Sequence, residues 1–271
     1  MTIFFFAYWG VHEGLTAATV LPNLRLLAAD ERVRRIVLFT MERVEANAQA
    51  ATASVDLGIE KVQHVAVVLR PFWLRPLSKW LDLRAVYKAA LREGERAGVP
   101  AWLICRGAPA AVFGYWLSAR WGVPYSVESF EPHAAYMVES GVWSAGGLAT
   151  RVQRYYEKKA KATARLLCVV SLNYLRQLQE YEHIDSNRLQ LVPCVVDLQR
   201  FAPQPADVVQ TIRERIGYRE GERVGVYVGK FGSIYYDAEA FAWFKATLDY
   251  YGGNFRLLLL SPTPKAELEA K

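Results

Sequence analysis

Cysteine is scarce in these 271 residues: Cys105, Cys168 and Cys194 are odd in number and far apart. That excludes a disulfide framework and paired metal ligands. Each lies in or beside an apolar run, so all three are expected to be small buried hydrophobes in a reducing cytosol. Long runs of lysine or arginine are also missing, as are zinc-ligand spacings and RNA-binding signatures, which ranks nucleic acid last among partners. No apolar run approaches the length of a membrane span. Met1 to Trp9 is apolar and aromatic, but no basic stretch precedes it and His12 and Glu13 soon follow. It reads as a buried first strand, not a signal peptide. Repeats of solenoid spacing and low-complexity segments are absent as well.

What the sequence does have is apolar content of 52% and a net charge of +6. The first fits a globular chain, long enough for one large or two modest domains. The second fits an anionic partner, such as nucleotide phosphates or an anionic membrane surface.

The order of elements alternates strand and helix. Strands are predicted at Thr2–Tyr8, Arg35–Thr40, Val62–Leu69, Ala101–Cys105, Pro124–Glu128, Leu166–Val170 and Arg188–Val192, several of them continuous apolar runs of the kind buried on both faces of a parallel sheet. Helices are predicted after the Gly10–Gly14 turn through Ala29, interrupted by Pro22, and over Glu42–Val55, the later part of Arg70–Ala97, Pro109–Trp121, Ala149–Ala164 and the stretch capped by Ser171. Phe130–Gly147 reads as a long irregular connection, the kind that often carries a site. After a proline-bounded seam, Leu189 to Pro203, the pattern restarts with helix Asp207–Ile216, strand Arg223–Val228, helix Asp237–Leu248 and strand Phe255–Leu260, and then stops. The fold class is α/β: a Rossmann-like N-terminal domain with a parallel sheet (1–200), then the beginning of a second Rossmann-like domain (201–271).

Four blocks in this order resemble the retaining nucleotide-sugar glycosyltransferases of family 4, which have the GT-B fold of two facing Rossmann-like domains. They are the Gly10–Gly14 turn, Glu128-Ser-Phe-Glu-Pro-His133, the charged helix from Tyr156-Glu157 into Leu167-Cys-Val-Val-Ser171, and Val192-Pro-Cys-Val-Val-Asp197…Phe201-Ala-Pro203 with the later Val226-Tyr-Val-Gly229-Lys230. The sequence departs from the family at Cys194-Val195, where Asn-Gly is usual, and at Lys230, which replaces an arginine. A pair of glutamates spaced eight apart, which grips the donor in the family, would fall beyond Lys271. The resemblance therefore implies a chain truncated within its C-terminal domain.

It also implies roles. His133 would be the catalytic group, orienting the sugar beside the anomeric carbon. Gly14, Gly229 and Lys230 would bind the donor diphosphate, the glycines by close backbone approach and the lysine by charge. His12, Glu13, Glu128 and Glu131 would contact substrate hydroxyls, although the residues by themselves favour a solvated or arginine-paired carboxylate for each of the two later ones. No metal and no cofactor is expected, the UDP- or GDP-linked sugar being a substrate. The acceptor would be a glycan or lipid-linked molecule bound by the first domain, in cell-surface polysaccharide or glycoconjugate synthesis. The basic aromatic stretch Arg70–Lys88, with Trp73 and Trp80, could contact an anionic membrane, placing a cytoplasmic enzyme on its inner face. Two other readings stay open: a non-catalytic acceptor-binding module and a sugar-nucleotide epimerase of the same fold.

Overall fold

The computed structural model describes residues 1–42, 54–69, 77–129, 131–196, 198–199, 201–232 and 235–270. Chain contacts divide it into two compact units, one of residues 1–139 and 143–194, the other of residues 195–271 with 140–142.

In the first unit, β1 (Thr2–Ala7) sets the architecture. Phe4, Phe5 and Phe6 are wholly buried although they alternate between opposite faces. Phe4 and Phe6 join one core with Phe39 and Phe113, while Ile3 and Phe5 join another with Val20 and Leu24. A strand buried on both sides needs helices on both sides, and parallel pairing supplies them through crossover connections. From β1 the chain passes a π-helical turn (Thr16–Val20) into α1 (Leu21–Ala29), then β2 (Arg35–Glu42) and β3 (Val62–Val68). Pro22 near the start of α1 has no N–H for an α-type bond, which accounts for the expected interruption.

The chain then crosses back through α2 (Leu77–Ala97) to β4 (Trp102–Arg106), α3 (Ala111–Trp121), β5 (Tyr125–Ser129), α4 (His133–Glu139), α5 (Leu148–Thr163), β6 (Leu166–Val169), α6 (Leu172–Glu180) and β7 (Leu189–Leu191). All seven strands are parallel, in the order β3-β2-β1-β4-β5-β6-β7. Right-handed crossovers place α1 on one face, and the reversal of direction at β1 places α2, α3, α5 and α6 on the other. The strand order reverses between β1 and β4, where open α/β sheets bind ligands beyond the strands' carboxyl ends. Ser171 caps α6 as expected, accepting the Tyr174 N–H at 3.2 Å.

Two expectations need correction, and a third falls mostly outside the described residues. Phe130–Gly147 is not wholly irregular, because α4 occupies His133–Glu139. Its first turn is held from a distance: Glu157 of α5 accepts the Ala134 N–H at 2.9 Å. The helix expected over Glu42–Val55 falls mostly on residues 43–53, outside the described residues, and Glu42 itself ends β2. Cys194 is exposed, in the chain that follows the end of β7 at Leu191. Cys105 is buried and Cys168 half-buried, and burial pushes the Cys168 thiol up to about 11.

The second unit contains α7 (Ala206–Arg215), β8 (Arg223–Val228), α8 (Asp237–Tyr251), β9 (Phe255–Leu260) and α9 (Lys265–Glu269), with β8 and β9 parallel. Its apolar centre is aromatic: Tyr227 and Phe231 stack at 4.6 Å, and Phe241 and Phe244 pack against Phe231.

Helix α3 lies very close to the sheet at Gly114, where an added Cβ would collide with the Tyr125 ring and come within 2.7 Å of the Cys105 Sγ. Gly114→Ala is expected to destabilise the protein by about 1–3 kcal/mol through overpacking, and thermal unfolding should show a clear drop in Tm.

Candidate functional site

The carboxyl ends of β1, β2, β4 and β5 bring several of the sequence-predicted residues to one edge of the first unit's sheet. Beyond β1, the Gly10 N–H is accepted by the Glu13 Oε1 at 3.2 Å and the Val11 N–H by the Glu42 Oε1 at 2.9 Å. Glu42 reaches under the turn, and a Cβ on Gly10 would sit 2.6 Å from its Oε2. Gly10 is thus glycine for want of space. Gly14 is different: it is exposed, already helical, and has nothing within 4 Å of an added Cβ. His12 is exposed and Glu13 half-buried.

Behind the turn runs a buried chain of hydrogen bonds that sequence reasoning missed. The Val55 N–H donates to His64 Nδ1 at 3.0 Å, so the proton of the neutral ring is on Nε2. That nitrogen lies 2.7 Å from the Thr40 hydroxyl, which in turn donates to the Glu42 Oε1. The His64 side chain is fully enclosed and that of Glu42 nearly so. Burial is the main reason the His64 pKa falls below its ordinary value, outweighing the pull of Glu42. The one signal available was a polar pair, Thr40 and Glu42, closing an otherwise apolar strand.

At the ends of β4 and β5, the sheet partners Arg106 and Glu128 form an ion pair, with Arg106 buried. Glu128 is therefore an arginine-paired carboxylate. Glu131 and His133 are brought together: the Nδ1 of His133 is 2.9 Å from the Glu131 Oε1. With Nδ1 donating to the carboxylate, Nε2 carries the lone pair of the neutral ring. Trp143 meets the imidazole edge-on at 5.6 Å. His133 is the first residue of α4, which fixes its backbone, and its side chain is mostly covered.

In the second unit, Gly229 and Lys230 follow β8. The Gly229 N–H donates to the Leu260 carbonyl at 3.1 Å, and the Lys230 carbonyl accepts from the Tyr227 hydroxyl at 3.1 Å. The exposed Lys230 ammonium sits 5.6 Å from the Tyr235 ring centroid. Beside this bend the Phe231 N–H points to the Thr263 hydroxyl at 3.5 Å, itself 3.1 Å from the Ser261 hydroxyl. Lys230, Ser261 and Thr263 all lie just past the carboxyl ends of β8 and β9. Neither hydroxyl belongs to a motif that sequence reading could recognise. Among the described residues, no cluster of three or more His, Cys, Asp or Glu could hold a metal ion, and no helix is long and apolar enough to cross a membrane.

No protein-family model matches this chain, and a search of curated proteins gave no match. Its likeness is to solved structures. Sucrose-phosphate synthase from Thermosynechococcus elongatus shares 13% identity over 95% of this chain and 70% of its own, with a TM-score of 0.63. Anabaena Alr3699/HepE, in complex with UDP and glucose, shares 13% over 96% of this chain and 60% of its own, at 0.59. Phytolacca americana UGT2, complexed with UDP-2fluoro-glucose and pterostilbene, shares 12% over 97% and 71%, at 0.57. These are GT-B glycosyltransferases. The chain has their α/β fold, a Rossmann-like domain followed by strands and helices of a second, and it spans about 60 to 70% of their lengths.

The buried histidine makes a stability prediction. A His held neutral in the fold, with its pKa below the unfolded value, favours the folded state fully above pH 6.5. That contribution is lost as pH falls from there through the depressed folded value, because the unfolded chain takes up the proton first. Between pH 7 and 5 the Tm of the parent should fall, and His64→Gln should flatten that slope; an equally steep slope in the variant would exclude His64 as its source.

Proposed function

We propose that this chain carries the acceptor side and part of the donor side of a retaining, metal-independent glycosyltransferase that uses a UDP- or GDP-linked sugar. The observation that carries the reading is the strand order of the first unit joined to a second β/α unit, a fold shared with structures that hold UDP and UDP-sugar analogues. The first unit takes a glycan or lipid-linked acceptor and the second the nucleotide sugar. The enzyme works in the cytoplasm in the synthesis of cell-surface polysaccharide or glycoconjugate.

In this chemistry the bond from the anomeric carbon to the diphosphate oxygen breaks as an acceptor hydroxyl approaches from the same face. The acceptor oxygen forms the new bond and its proton leaves with the diphosphate. Two charges need support. Lys230, exposed at the end of β8 next to Gly229, stabilises the diphosphate as it departs, and Gly14 is a donor-contact candidate on the first unit taken by itself. His133, oriented by Glu131, holds the sugar next to the cationic anomeric centre. Glu131 thereby acts through His133, and His12 and Glu13 offer their polar groups to the acceptor. Glu128 is proposed for the same substrate region but is held by Arg106, so it serves better to fix the edge of β4 and β5.

Isothermal calorimetry with UDP and GDP tests the donor half. Lys230→Ala should weaken nucleotide binding about 10- to 100-fold, the loss of one charge-assisted contact. Gly14→Ala should hold or raise Tm, since its Cβ meets nothing and the position is helical, while weakening the donor if phosphate comes close there. Failure of any nucleotide to bind, even to a polypeptide extended past Lys271, would sink the transferase reading. Binding only by the longer polypeptide would leave this chain as an acceptor-binding module, and conversion of a nucleotide sugar without acceptor would identify an epimerase.

A further inference from the structure

Helix α5 is charged along its length, with Arg151, Arg154, Lys158, Lys159 and Lys161 against a single acid, Glu157. The fold separates these charges. Glu157 is turned inward, where it accepts from the Ala134 N–H and the Gln153 amide, and Lys161 is paired with Glu182 at 2.6 Å. The buried side carries Thr150, Gln153 and Ala160. On the opposite side, Leu148, Val152 and Tyr155 follow one another at helical spacing and are 57%, 41% and 51% exposed. Lys159 continues that line, its ammonium 5.4 Å from the Tyr155 ring and 5.8 Å from that of Tyr115 on α3. Arg151 and Lys158 flank it, both exposed.

An outer helix normally turns its apolar stripe to the core. Here a second stripe faces outward, bordered by cations, and no acidic side chain of α5 shares it. The same layer of the fold continues on α2, where Trp80 is 47% exposed with the Arg84 guanidinium stacked on it at 4.6 Å. Apolar and aromatic groups at the centre with lysine and arginine at the margins match an anionic bilayer, whose headgroups pair with the cations while the apolar side chains enter the acyl boundary. Leu148 and Val152 offer nothing to a nucleic-acid phosphate or base, which favours lipid.

We propose that the outward face of α5, together with Trp80 and Arg84 of α2 in the same helical layer, docks this protein on an anionic lipid surface. The proposal centres on α5 and takes in Trp80 and Arg84 of the Arg70–Lys88 stretch; residues 70–76 of that stretch lie outside the described residues. The proposal is independent of the transferase reading, since its readout is binding to lipid and not turnover.

Co-sedimentation of the full chain with phosphatidylcholine vesicles, with and without about 30% phosphatidylglycerol, tests it. Binding is expected only to the anionic vesicles, and it should weaken as salt is raised. Reversing Arg151→Glu, Lys158→Glu and Lys159→Glu together should lower partitioning at least about 100-fold, roughly fivefold per cation removed before the repulsion of the added carboxylates. Leu148→Ser with Tyr155→Ser should lower it about tenfold. All five positions lie on the outward side of α5, so unchanged Tm confirms that the variants are folded. Equal binding to neutral vesicles, no binding to either, or a charge-reversed variant that binds like the parent overturns the proposal. So does a concentration-dependent dimer that the charge reversal dissolves in the absence of lipid, which would assign the face to a second copy.

Discussion

The constraint on which the rest depends is that β1 cannot show either face to water. Phe4, Phe5 and Phe6 are each buried completely, and fully burying a phenylalanine side chain contributes about 1.5–3 kcal/mol. Three in succession on alternating faces need a core above and a core below. Parallel neighbours on both sides and helices over both faces satisfy that need. The consequence for chemistry is spatial: once the strands are saturated with apolar side chains, polar groups collect where the strands end. Arg106, Glu128, Glu42 and the Gly10–Gly14 turn all stand at such ends.

The acids at this edge are already engaged. Glu13 holds the Gly10 amide, Glu42 the Val11 amide and the Thr40 hydroxyl, Glu128 the Arg106 guanidinium, and Glu131 the His133 ring. Such partnering fixes orientation more than it supplies reactivity. It makes the first unit's edge a fixed frame, in which the Glu131 contact to Nδ1 orients the His133 ring. In the other unit, the exposed Lys230 follows β8, and Ser261 and Thr263 follow β9.

Strands and most helices were legible in the sequence because they rest on local pattern: the apolar run of β1, the restart at Arg223–Val228, the serine before α6. What was missed depends on partners far along the chain. Helix α4 has only seven residues and is held by Glu157, 23 positions after Ala134. The Glu42 bond to the turn spans 31 positions, and nothing local distinguishes that carboxylate from one that opens a helix. Cys194 misled because Val195 and Val196 look like core residues, yet they lie past β7, the last strand of the first sheet, and are 84% and 52% exposed. The charge of α5 was plain in the sequence, while its outward apolar line required knowing which side packs on the sheet.

The π-helical turn at Thr16–Val20 carries one more residue than an α-helical turn of the same rise would hold. Its extra residue acts as a phase adjuster. Downstream, Leu24 and Ala28 keep the angular positions that the core dictates; upstream, Gly14 keeps the one dictated by the turn over Glu42. The two ends of one helix are thereby set by separate requirements, and insertions or deletions within Thr16–Val20 become a way to rotate the loop-bearing end while leaving the packed end in place.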